Sequence, residues 1–177
     1  MSKINNVNIE GVQAFETQLK NNPSEARRTQ GIEGEWILQE GSAQFVSKIK
    51  FENGETEFIV DNTKFMGGSG SHPGPMHYCF YGLASCYTGT FATMAAMLGI
   101  KLKKLTTKVE ADLNFSKVFG ISEEPIMEEV RVKLTVVSDD PIEKIKQAEE
   151  LALQRCPVVF TLKNPVKLVP FLEVNNE

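Results

Sequence analysis

The sequence predicts an α+β protein in which antiparallel strands surround one long central helix, and three observations lead there. Two segments with strand-like alternation, joined by Asn53-Gly54, precede position 61. Between Lys64 and Lys101 lie 36 residues without Asp, Glu, Lys or Arg, and no proline interrupts 76 to 100. Two more alternating segments and an amphipathic segment follow, so strands and helices come in blocks rather than in βαβ alternation.

The elements follow in order. Ile9, Val12, Phe15 and Leu19 recur at helical spacing and predict a peripheral helix over about 8 to 21, ended by Asn21-Asn22-Pro23. Residues 35 to 40, 43 to 51 and 55 to 60 predict three antiparallel strands, and MGGSGSHPGP is a loop by composition. Pro75 suits a first helical turn and Gly99 a C-terminal cap, which bounds the central helix. Residues 102 to 115 and 126 to 137 predict two further strands. Asp139-Asp140-Pro141 predicts the start of a helix reaching Gln154, with Cys156 just beyond its end, a turn or short helix through Thr161, and a last strand over 166 to 174. One domain over 1 to 177 accounts for the length.

Composition excludes several classes. A net charge of −4 without a basic run gives no footprint for nucleic acid or an anionic membrane. The uncharged centre is long enough to raise a membrane span, but His77, four hydroxyl residues and three glycines dilute it, and it reads as a buried helix. Three cysteines do not suit a structural disulfide framework, and MSKINNVNIEGV has no apolar leader, which fits a reducing cytoplasm.

In such a compartment a cysteine is either a small buried packing residue or an active thiol. Along the central helix, Phe80, Leu83, Tyr87, Phe91, Met94 and Leu98 form a bulky stripe, while Gly82, Cys86, Gly89 and Thr93 form a small one. Gly82 and Gly89 leave room beside Cys86 for a small substrate, or equally for a second helix from another subunit. Cys79 and Cys86 lie about 10 Å apart along a continuous helix, too far for a disulfide, so any redox pair must involve Cys156. A thiolate in mid-helix needs a cation, and the four arginines are Arg27, Arg28, Arg131 and Arg155, each equally readable as a surface charge. His72, His77, Cys79 and Cys86 match no trusted zinc spacing.

Two motifs carry a family resemblance: GSHPGPMHYCFYGLASC at 70 to 86 and RCPVVFTL at 155 to 162. Together, and with the element order over about 30 to 175, they resemble the OsmC/Ohr family. The resemblance implies the OsmC-like fold as an intertwined homodimer with sites near the subunit interface. It also implies two-cysteine reduction of hydroperoxides, organic ones especially, without metal or organic cofactor. Cys86 would attack the peroxide, Cys156 would resolve the sulfenic acid, and an external dithiol would restore both. Well-characterised Ohr members carry a glutamate after the loop proline, paired with an arginine from the N-terminal β region. Here Met76 follows Pro75, His77 is the candidate substitute, and Arg28 or Arg27 is the nearest arginine in sequence. Nine residues put His77 opposite Cys86 on a regular helix, so contact requires the helix to start later. The competing reading is a non-catalytic OsmC-like protein that holds a small ligand beside Cys86.

Overall fold

The computed structural model describes residues 3–175; the first two and last two residues of the predicted domain lie outside them. It begins with a feature the sequence reading missed, a minimal hairpin of β1 (Lys3–Ile4) and β2 (Val7–Asn8). Asn5 and Asn6 turn it with φ of 55° and 63°, the double left-handed geometry that asparagine tolerates. The Asn5 amide then donates to the Ile100 carbonyl at 2.9 Å and accepts from the Leu102 N–H at 2.9 Å, tying the N-terminus to the middle of the fold. Helix α1 (Ile9–Asn21) is capped by the Asn8 side chain, which accepts from the Gly11 N–H, and it buries none of its residues.

The first sheet has the order β3 (Glu35–Trp36), β4 (Phe45–Phe51), β5 (Gly54–Val60), all antiparallel. The register pairs Phe51 with Gly54, so Glu52 and Asn53 form the two-residue loop and Gly54 opens β5 rather than sitting in the turn. Only two residues of the segment 35 to 40 are strand, because after Trp36 the chain turns through Gly41 at φ 80°.

Helix α2 (Pro75–Met97) runs through the middle. Pro75 occupies its first position, where a missing N–H is harmless. Gly99 ends it at φ 73°: its N–H reaches the Ala96 carbonyl at 2.9 Å and the Ile100 N–H reaches Ala95 at 2.9 Å, a Schellman pair that satisfies two terminal carbonyls. The bulky stripe is the core face, with Leu83, Tyr87, Phe91 and Met94 buried. The opposite face leaves Cys79, Tyr81, Ser85 and Gly89 exposed in the single chain, so the helix read as buried is buried on one side here.

The second sheet is the antiparallel pair β6 (Leu102–Glu110) and β7 (Arg131–Ser138), shorter than the predicted strands at both facing ends. The connection between them folds back on itself through Gly120 at φ 67°, and the Asn114 N–H reaches across it to the Ile126 carbonyl at 2.8 Å. Helix α3 (Ile142–Arg155) lays Ala148 and Ala152 against α2, where small residues let the helices approach. Asp140 does not cap α3; its carboxylate accepts from the Lys101 N–H and the Ser138 hydroxyl and so fastens β7 to the end of α2. Helix α4 (Pro157–Lys163) follows directly.

The predicted last strand over 166 to 174 does not form. The segment takes no regular structure, and Leu168, Phe171 and Leu172 are 87%, 89% and 83% exposed. A strand exists only through its ladder, and among the described residues no strand pairs with the segment.

Candidate active site

Helix α2 places Cys86 near its midpoint, with its side chain half-buried toward α4. The other cysteine is positioned by proline. Pro157 has no N–H with which to continue α3 and forces its predecessor into an extended conformation. Cys156 accordingly sits at φ −72° and ψ 119°, ending α3 and beginning α4. Its own N–H still reaches the Ala152 carbonyl and its carbonyl accepts from the Phe160 N–H, both at 2.9 Å. This double anchoring turns the side chain into the core, where Cys156 is 0% exposed beside Tyr87, Phe91 and Met94.

The two sulfurs, 70 positions apart in sequence, lie 3.4 Å apart, with the Cys156 thiol donating to Cys86. That is a non-bonded contact between free thiols. A disulfide needs about 2.05 Å between sulfurs, so closing the bond asks for a shift of little more than an ångström. Cys79 is exposed two turns earlier on α2 and takes no part in this contact.

Burial raises the Cys86 pKa above its ordinary value; the Val158 backbone N–H, at the start of α4, pulls it down, and the neighbouring Cys156 raises it further. Among the described residues no cation contributes. Arg28, with Arg27 the candidate for the activating arginine, stacks its guanidinium 5.1 Å over the Phe15 ring of α1. Arg131 is held by Asp112 at 2.9 Å and Glu129 at 2.7 Å, and Arg155 points its guanidinium at the Met94 sulfur, 3.6 Å away.

His77 is also reassigned. Its Nδ1 accepts from the Gly74 N–H at 3.1 Å while its own N–H reaches the Gly74 carbonyl at 3.0 Å, so it caps α2. The helix starts at Pro75, which leaves His77 on the far side from Cys86. Of the two glycines, Gly82 lines an apolar cavity of about 570 Å³ between the first sheet and the start of α2, together with Trp36, Phe45, Phe58, Tyr78 and Tyr81. Cys86 continues that helix face one turn further along. Gly89 borders open space, and a Cβ there or at Gly82 would meet nothing within 4 Å. His72 bonds to the Ser71 hydroxyl, and among the described residues no group of three or more His, Cys, Asp and Glu is placed to hold a metal.

Sequence reading missed Asp61. This carboxylate is 1% exposed and accepts from the backbone N–H and hydroxyl of both Ser69 and Ser71, which hold its pKa down at about 2, the Ser69 hydroxyl contributing most. It clamps the glycine-rich loop that leads into α2. The signal was an Asp at the end of a strand with serines spaced through a flexible loop, a pattern for satisfying a buried carboxylate. The Val158 N–H beside Cys86 had no sequence signal beyond Pro157.

A family model described as OsmC-like protein matches residues 68–170, more than half of the chain. None of the curated protein sequences compared matches it. Among solved structures, an OsmC-like protein from Mycoplasma pneumoniae is similar with a TM-score of 0.59 at 21% identity, covering 78% of this chain and 89% of that one. An organic hydroperoxide resistance protein OsmC from Legionella pneumophila gives 0.53 at 15% identity, covering 77% and 92%. An OsmC-like protein of unknown function from Vibrio cholerae gives 0.55 at 13% identity, covering 76% and 94%. At such identities the likeness speaks for the fold alone. No helix is long and apolar enough to cross a membrane among the described residues. The family match spans the clamped loop, the whole of α2 with Cys86, both strands of the second sheet and the α3–α4 junction with Cys156, and the chain belongs to the OsmC-like protein family.

Proposed function

We propose that the protein is a thiol-dependent peroxidase that reduces hydroperoxides, organic ones above all, through Cys86 and Cys156. The observation that carries this reading is the 3.4 Å contact between two free sulfurs from distant parts of the chain. The Cys86 thiolate attacks the terminal peroxide oxygen, the O–O bond breaks, and the alcohol leaves with a proton. The resulting sulfenic acid condenses with the Cys156 thiol, releasing water and forming the disulfide. An external dithiol then takes up the oxidation and returns both cysteines to thiols. Each step is sulfur chemistry and calls on no cofactor. The apolar cavity that ends at Gly82 suits the organic portion of an alkyl or aryl hydroperoxide.

The proposal includes a homodimer working in a reducing cytoplasm. A C-terminal segment with Leu168, Phe171 and Leu172 uncovered supports a second copy, as do Cys79, Tyr81, Ser85 and Gly89 exposed along α2. One observation favours a binding-only protein instead: the Cys86 thiol is raised rather than activated. Hydroperoxide turnover with a dithiol reductant separates the readings. Cys86→Ser is expected to abolish turnover, Cys156→Ser to leave a sulfenic acid trapped on Cys86, and Cys79→Ala to retain nearly full activity. Equal behaviour of all four proteins would favour binding alone.

A further inference from the structure

Resting on this reading, a directional question remains: which sulfur of the Cys86–Cys156 disulfide does the reductant attack? Thiol–disulfide exchange requires the incoming thiolate to approach along the S–S axis, from behind the sulfur under attack, so access decides the site. Cys156 offers no such access. Cys156 is 0% exposed, enclosed by Tyr87, Phe91, Met94, Ala148 and Ala152, and held by backbone hydrogen bonds on both sides. Cys86, by contrast, is only half-buried, and one turn to either side of it on α2 a Cβ at Gly82 or Gly89 would meet nothing within 4 Å.

We propose that reduction begins at Cys86 and that Cys156 is the leaving sulfur, so that peroxide and reductant enter by one port on the Gly82–Cys86–Gly89 face. The reductant thiolate bonds to the Cys86 sulfur, the S–S bond breaks, and the electron pair goes to Cys156. The second thiol of the reductant gives its proton to the Cys156 thiolate beside the mixed disulfide. It then attacks the reductant's own sulfur, forming the cyclic disulfide and releasing the Cys86 thiolate, which takes up the remaining proton. Two electrons and two protons pass from the dithiol to the two cysteines.

The test uses the full chain carrying Cys79→Ser, oxidised with diamide so that disulfide formation does not depend on peroxidase activity. Brief exposure to 2-mercaptoethanol, an acid quench, alkylation with N-ethylmaleimide and peptide mapping then locate the mixed disulfide. Mercaptoethanol on Cys86 with maleimide on Cys156 is expected; the reverse placement overturns the proposal. A second arm needs no disulfide. In the Cys79→Ser background, the lone Cys86 left by Cys156→Ser is expected to react with an aromatic disulfide at least about tenfold faster than the lone Cys156 left by Cys86→Ser. Equal rates, or a faster Cys156, would also overturn it. If diamide forms no link between positions 86 and 156, the two-cysteine function fails while the reactivity comparison still decides which sulfur is open.

Discussion

A sulfur 3.4 Å from its partner is poised to form a bond, but among the described residues no cation favours its thiolate. Burial outweighs the Val158 N–H at Cys86, so its thiol titrates above the ordinary value and the thiolate fraction at pH 7 is small. Because the raised group reacts only once deprotonated, the rate with a small alkyl hydroperoxide is expected to keep rising with pH beyond about 8.5, the reference thiol value. Stopped-flow oxidation over pH 6 to 10 checks this; a profile already level at pH 7 would show a cation lying against Cys86 in solution. The residue scale is also where sequence reading was weakest. Helix spacing excluded a Cys79–Cys86 pair, since both share one continuous helix, and the choice of Cys86 as the partner of Cys156 came from the family resemblance. The arginine and histidine assignments did not follow, because they depend on where an aromatic ring and a helix start fall: Phe15 takes Arg28 and Pro75 sets His77.

At the scale of elements, the chain advertises what its own neighbours decide. Pro75, Gly99 and Pro157 each fix a helix boundary through a local steric rule, and all three boundaries were readable before any contact was known. Gly99 matters most, because its left-handed φ of 73° ends α2 and turns the chain so that Ile100 is buried. Gly99→Ala is expected to lower folding stability by about 1 kcal/mol, the penalty for a Cβ in that conformation, seen as a lower urea midpoint with unchanged slope. An unchanged midpoint would mean that α2 ends differently. Strand lengths were harder to read than helix ends, since a ladder depends on its partner: residues 126 to 130 were read into the strand, yet the ladder starts only at Arg131, opposite Glu110.

For the whole molecule, the decisive failure of sequence reading is the segment 166 to 174. Its composition asks for a sheet, and a single chain gives it none. A run of uncovered Val, Leu and Phe is unstable in isolation, and the proposed homodimer would satisfy it at a sheet edge of the second copy. The chain is therefore expected to sediment as a dimer, and removal of residues 165–177 to shift it toward monomer. A full-length monomer at micromolar concentration would contradict that. The account as a whole stands on electron exchange between positions 86 and 156, and the most direct measurement is to treat the reduced Cys79→Ser protein with one equivalent of an organic hydroperoxide and map its cross-links by mass spectrometry. A single Cys86–Cys156 disulfide, formed as the corresponding alcohol appears in equal amount, is the predicted result. Two cysteines still alkylatable after the peroxide has been consumed, or a peroxide left intact, would contradict it.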